Sequence, residues 1–112
     1  MVVSEHDIQN QIRVALSANN CTVFRINVGS VKLPNGQYFS SGVPNGFPDL
    51  MGFRHVDNKI YFIEVKSETG KPRKDQIKFH EFLAKNNVIH GIARSPEQAV
   101  EIVKKGLIGY GF

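Results

Sequence analysis

The segment from Asp49 to Lys66 constrains the fold more than any other. Asp49–Arg54 and Ile60–Lys66 flank a turn signal, His55-Val56-Asp57-Asn58-Lys59, and read as two antiparallel strands. Side chains alternate along a strand, so Asp49, Met51, Phe53, Ile60, Phe62, Glu64 and Lys66 share one face. Leu50, Gly52, Tyr61, Ile63 and Val65 share the other. A turn centred on Asp57-Asn58 sets Met51 opposite Glu64 and Asp49 opposite Lys66. Apolar residues on both faces mark strands covered on both sides, unlike a sheet with one solvated face.

The flanking sequence supplies the cover. Ser4 and Asp7 form an imperfect capping box ahead of the stripe Ile8, Ile12, Ala15 and Leu16, which predicts a helix from about Ser4 to Asn19. Cys21 to Val28 reads as a strand. Pro72 suits the first turn of a helix running to about Asn86, and Val88–Ala93 is a further strand. Ser95-Pro96-Glu97-Gln98 offers an N-cap, an N1 proline and a capping-box glutamine for a last helix closed at Gly106. The expected architecture is α/β: a mixed sheet flanked by helices, in the order α-β-β-β-α-β-α. Its 112 residues suit a single domain, 1–112.

Gly29 to Phe47 breaks this pattern with four of the ten glycines. Pro34-Asn35-Gly36, between Val31-Lys32-Leu33 and Gln37-Tyr38-Phe39, predicts a small hairpin inside it. A connection this long in a small domain is more often functional than idle. It fits an arm wrapping DNA or a partner subunit, or a run of tight turns.

Composition narrows the function classes. The longest apolar run, Ile60–Ile63, is far too short to span a bilayer, and the first residues carry no secretory pattern. A lone cysteine, Cys21, excludes an internal disulfide and a multi-cysteine zinc site, so a reducing, cytoplasmic location is expected. His6, His55, His80 and His90 lack zinc-like spacing, which suits surface positions or hydrogen-bonded core positions. Val65 stands where a phosphate-binding loop ending at Gly70-Lys71 would need glycine. The net charge of +4 is compatible with a polyanionic partner.

The chemistry concentrates at one end of the central hairpin, where Asp49, Glu64 and Lys66 converge. Opposed side chains on paired strands sit about 5 Å apart, close enough for both carboxylates to reach one hard cation such as Mg²⁺. A lysine two residues after the glutamate would lie beside the attacking water. A plainer reading has Asp49 ending a turn after Pro48 and Glu64 pairing with Lys66 at the rim.

Pro48-Asp49 followed by Glu64-Val65-Lys66 resembles the signature of the PD-(D/E)xK nuclease superfamily. The fuller pattern comprises Glu5, Arg25-Ile26-Asn27-Val28-Gly29, Gly46-Phe47-Pro48-Asp49-Leu50, Glu64-Val65-Lys66 and Gln76. It is similar to the virus-type replication-repair nuclease (VRR-NUC) domain, from Glu5 to about Arg94. The resemblance implies a restriction-endonuclease-like core that hydrolyses DNA phosphodiesters with Mg²⁺ or Mn²⁺. It implies Asp49, Glu64 and the Val65 carbonyl as metal ligands, with Glu5 facing the same site from the first helix, through water or a second metal. Lys66 would position the nucleophilic water and Gln76 would support the site from its helix. Lys71, Arg73, Lys74 and Lys78 form a basic cluster suited to DNA phosphates. Small free-standing members of such families resemble junction resolvases, which implies a homodimer cutting branched DNA, Holliday junctions favoured. A flap or restriction-type nuclease of the same fold, and a non-catalytic nucleic-acid-binding module, are the alternatives. A phage origin would place the chain inside an infected host cell.

Overall fold

The computed structural model describes residues 3–27, 30–40 and 42–112. Ser4 caps the first helix, α1 (Glu5–Ala18), by accepting the Asp7 N–H at 3.1 Å, and Ile8, Ile12 and Leu16 form its buried stripe. The strands are β1 (Cys21–Arg25), β2 (Ser30–Lys32), β3 (Tyr38–Ser40), β4 (Leu50–Arg54) and β5 (Ile60–Val65). Helix α2 (Lys74–Lys85), β6 (Ile89–Ala93), α3 (Pro96–Lys105) and β7 (Ile108–Tyr110) complete the chain. Five strands form one mixed sheet in the order β1-β4-β5-β6-β7, and β2-β3 stands apart as a two-stranded hairpin. Strands β1, β4 and β5 are antiparallel, whereas β5-β6 and β6-β7 are parallel, each parallel step bridged by a helix. Helices α1 and α3 pack together over one face, where Ile12, Leu16, Leu50, Ile63, Val65, Ile102 and Val103 form the core. Helix α2 covers β6 and β7.

The α/β architecture, the central hairpin and the Pro34-Asn35-Gly36 hairpin stand as the sequence predicts. Four local expectations change. The central turn is one residue earlier than expected. Asn58 takes a left-handed conformation (φ 61°), Asn58 N–H bonds to the Arg54 carbonyl, and Leu50 pairs with Ile63. Met51 therefore opposes Phe62 rather than Glu64, and Asp49 comes level with Glu64 rather than Lys66. The shift is two residues, so each face keeps its membership. Pro72 precedes the N-cap Arg73 instead of entering α2. Gln98 accepts the Arg94 N–H at 2.7 Å instead of closing a box on Ser95. Strand β7 lies outside the predicted elements, because Gly109 is its centre and Gly106 and Gly111 stand close on either side. Strand β1 ends at Arg25, and Val28, Gly29 and Ser41 of the predicted segments lie outside the described residues. Among the described residues, no helix is long and apolar enough to cross a membrane.

One contact locks three strands. The Tyr61 side chain crosses its cross-strand partner Gly52, and its hydroxyl donates to the Thr22 carbonyl of β1 at 2.6 Å. A Cβ at Gly52 would stand 1.8 Å from that carbonyl oxygen and 2.7 Å from the Tyr61 hydroxyl. Gly52→Ala should thus cost more than about 3 kcal/mol, because backbone must move. Tyr61→Phe should cost about 1–3 kcal/mol by orphaning a carbonyl. Urea unfolding of both variants checks this ordering, and a Gly52→Ala midpoint equal to wild type would refute the packing described.

Candidate active site

The site lies where the β4-β5 ladder ends. Backbone pairing stops at Leu50-Ile63, and the Asp49 carboxylate takes over by accepting the Val65 N–H through Oδ2 at 2.9 Å. Asp49 is itself held from β1's side, because its carbonyl accepts the Ile26 N–H at 2.8 Å. A strand residue's N–H and C=O point to the same edge, so the Val65 carbonyl also faces Asp49. The Lys66 N–H points the other way, to the Ala93 carbonyl of β6 at 3.2 Å.

Glu64 is 1% exposed and Lys66 6% exposed, both unusual for ionisable residues. Lys66 Nζ stands 3.8 Å from Glu64 Oε2, and the Gln76 amide donates to the same oxygen at 3.1 Å. Gln76 is the N3 residue of α2, and its Oε1 accepts the Arg73 N–H at 2.9 Å. The helix start and Glu64 are therefore fixed to one another through a single buried amide. The segment entering Asp49 is pinned to the same place. Gly46 (φ 86°) lies so close to the helix start that a Cβ would sit 2.3 Å from the Asp75 carbonyl oxygen. Phe47 next to it packs edge-on against Phe62 at 5.5 Å and against Phe79 at 5.1 Å.

The two carboxyls repel. Burial, then hydrogen bonding with Glu64 and its negative charge, pushes the Asp49 carboxyl up to about 7. Burial also raises Glu64, with the Glu5 charge adding to the rise, while Asp49, Lys66 and Arg73 oppose it. Glu64 Oε1 is buried with no hydrogen-bond partner. These features fit a divalent cation: paired oxygens short of positive charge, one of them orphaned. Among the described residues no three His, Cys, Asp or Glu side chains converge.

Asp49, Glu64, Lys66 and Gln76 are thus brought together. Glu5, the first residue of α1, is exposed and acts on Glu64 through its charge without joining the cluster. Lys71, Arg73, Lys74 and Lys78 are all exposed, from just before α2 to its second turn, and Arg73 pairs with Asp75 at 3.3 Å. Two residues went unassigned by sequence. Arg94 donates to the carbonyls of Ser67 and Gly70, both at 2.6 Å, and so folds the segment linking Lys66 to Lys71. His80 was expected at the surface or hydrogen-bonded in the core, yet it is buried with both ring nitrogens unpartnered. Its Nε2 stands 3.9 Å from Glu64 Oε1, and burial lowers its pKa to about 4, so it is neutral. The i, i+4 spacing from Gln76 was the available signal, since it places both on one helix face.

Asp49 titrates near 3.8 when unfolded and near about 7 when folded, so the fold binds its proton more tightly. The stability this contributes is complete below 3.8 and is lost as pH rises through about 7. Asp49→Asn keeps an acceptor for Val65 and cannot ionise. In EDTA its melting temperature relative to wild type should rise by on the order of 5–10 °C between about pH 5 and pH 8. A difference that stays constant with pH would contradict the shift.

The VRR-NUC domain model matches residues 4–97. The chain is also similar to a solved structure titled VRR_NUC domain, at 24% identity and a TM-score of 0.65, over 89% of this chain and 94% of that one. That likeness is one of fold. No curated protein matches the chain.

Proposed function

We propose, from the premise that the chain belongs to the VRR-NUC domain family, that it is a Mg²⁺- or Mn²⁺-dependent DNA endonuclease specific for branched DNA. The family is of nuclease type, with DNA as the implied substrate. The observation that carries the reading is the Asp49-Glu64 pair, two carboxyls forced together at the sheet end beside a buried lysine. An uncompensated pair of this kind is costly to bury, and a bound cation removes the cost.

In this reading Asp49, Glu64 and the Val65 carbonyl hold the cation, and Glu5 adds long-range negative charge. When bound, the cation lowers the pKa of the attacking water and neutralises charge growing on the scissile phosphate. Lys66 orients that water with an ammonium that Glu64 keeps in place, and stabilises the phosphorane-like charge. Gln76 holds Glu64 in one rotamer, so the donor set is preorganised before substrate arrives. Lys71, Arg73, Lys74 and Lys78 bind flanking phosphates without reading sequence. A four-way junction presents two equivalent strands, and an isologous homodimer would present two sites to them.

Cleavage of end-labelled four-way junction, flap, duplex and single-stranded DNA in Mg²⁺, Mn²⁺ or EDTA tests the reading. We expect paired, metal-dependent nicks in the junction. Asp49→Ala should abolish them, and Lys66→Ala should slow them by on the order of 10²–10³-fold. Cutting of flap or duplex alone would remove the junction preference. DNA binding without cleavage by the wild-type chain would refute the nuclease.

A further inference from the structure

The β2-β3 hairpin is unaccounted for by the site. Every described side chain from Lys32 to Ser40 is exposed, Tyr38 at 69% and Phe39 at 61%. A lone two-stranded hairpin is marginal in water, yet this one has a built tip. Leu33 N–H bonds to the Gln37 carbonyl at 2.6 Å, and Asn35 Oδ1 accepts the Gln37 N–H at 3.0 Å. Both ends of the arm are anchored at the candidate active site. One leg leaves from Ile26, bonded to the Asp49 carbonyl, and the other returns through Gly46 and Phe47 against α2.

Its charge is one-sided. The sequence holds no Asp or Glu between Asp7 and Asp49, while Arg13, Arg25 and Lys32 lie in that interval. Register then sorts the arm into two faces. Lys32 pairs directly with Tyr38, which puts a cation and an aromatic ring side by side on one face. Phe39 falls on the opposite face, with Leu33 and Gln37.

We infer that the Lys32-Tyr38 face binds DNA next to the cut, with Tyr38 stacked on an unpaired base and Lys32 on the adjoining phosphate. The inference rests on the nuclease reading and deepens it, by naming the part of the molecule that recognises bases unstacked or unpaired at a branch point. Every base offers a π-face, so a stacking ring beside a cation recognises strand opening without sequence preference. A fully paired duplex offers no free base to the ring. A second copy of the chain is the poorer occupant, because the face carries a cation and the arm has no acid to complement it.

The test is binding by the full chain with Ca²⁺ in place of Mg²⁺, read by fluorescence anisotropy. The probes are a fluorescein-labelled four-way junction with one unpaired nucleotide at its centre and a duplex of equal length. In parallel, 2-aminopurine at the unpaired position reports stacking. Tyr38→Ala should weaken junction binding by on the order of tenfold, change duplex binding less than about threefold, and lose the 2-aminopurine quench. Tyr38→Phe should retain both, and Phe39→Ala on the other face should match wild type. Lys32→Ala should weaken junction binding and flatten its salt dependence. Equal losses on junction and duplex, an inert Tyr38→Ala, or a Phe39→Ala as weak as Tyr38→Ala would overturn the arm while leaving cleavage intact. Conversion of Tyr38→Ala to a smaller species in sedimentation would assign the face to a second copy and overturn it too. A wild-type chain that binds neither probe would bring down the nuclease reading as well. Binding without cleavage brings down that reading alone.

Discussion

The Asp49-Val65 hydrogen bond is the constraint on which the site depends. It substitutes a side-chain oxygen for a backbone one at the position where the two central strands part. Because the bond is made to β5's own backbone, Asp49 cannot swing away from Glu64 without orphaning a buried N–H, at a cost of about 1–3 kcal/mol. The burial that raises both carboxyls, and the Glu64 charge that raises Asp49 further, are therefore held in by the end of the sheet. In solution two carboxylates would separate, but here separation would break the ladder's last bond.

Holding the pair is a task shared among elements distant in sequence. Gln76 fixes Glu64 from α2, while Gly46 and Phe47 press the incoming chain onto the same helix. Arg94, at the end of β6, ties down the loop after Lys66 with two short bonds to carbonyls. Each uses a buried polar group or a close backbone approach, which are costly unless complete. Buried polar atoms without a partner gather beside the pair: Glu64 Oε1, both His80 ring nitrogens and His90 Nε2, with Phe112 stacked on the His80 ring at 3.9 Å. Of these atoms only Glu64 Oε1 belongs to a carboxyl, so it is the one whose open position a cation would fill.

Much of this was legible in the sequence, for a physical reason. Period-two alternation survives a register error of two residues, so the shared face of Asp49, Glu64 and Lys66 came through although the turn was misplaced. The misplacement came from Asn58, whose left-handed backbone lengthens the turn in a way that the letters Asp-Asn do not announce. The caps at Ser4 and Ser95 are local and were readable; Pro72 lies one step outside its helix because Gln76 reaches back to Arg73 instead. Strand β7 was not readable, because its pairing partner β6 is supplied by tertiary structure and its own residues include little but glycine and two apolar side chains. His80 was missed for the opposite reason. Its significance lies in an absent hydrogen bond, and sequence displays residues, not vacancies in their bonding.

The arrangement of charge along the chain gives the fold its direction. Ten acids are present, yet none falls in the 41 residues between Asp7 and Asp49, so negative charge on the arm's side begins abruptly at the site. On the nuclease reading, a polyanion drawn to the exposed Lys32, Lys71, Arg73, Lys74 and Lys78 would be repelled at Asp49 and Glu64. A cation held by the two carboxylates would cancel that repulsion and attract the phosphate nearest to it. Each ligand, once bound, would then strengthen the other's binding, a positive coupling. Lys66, 3.8 Å from Glu64, does not remove this dependence, because its single charge cannot balance two carboxylates.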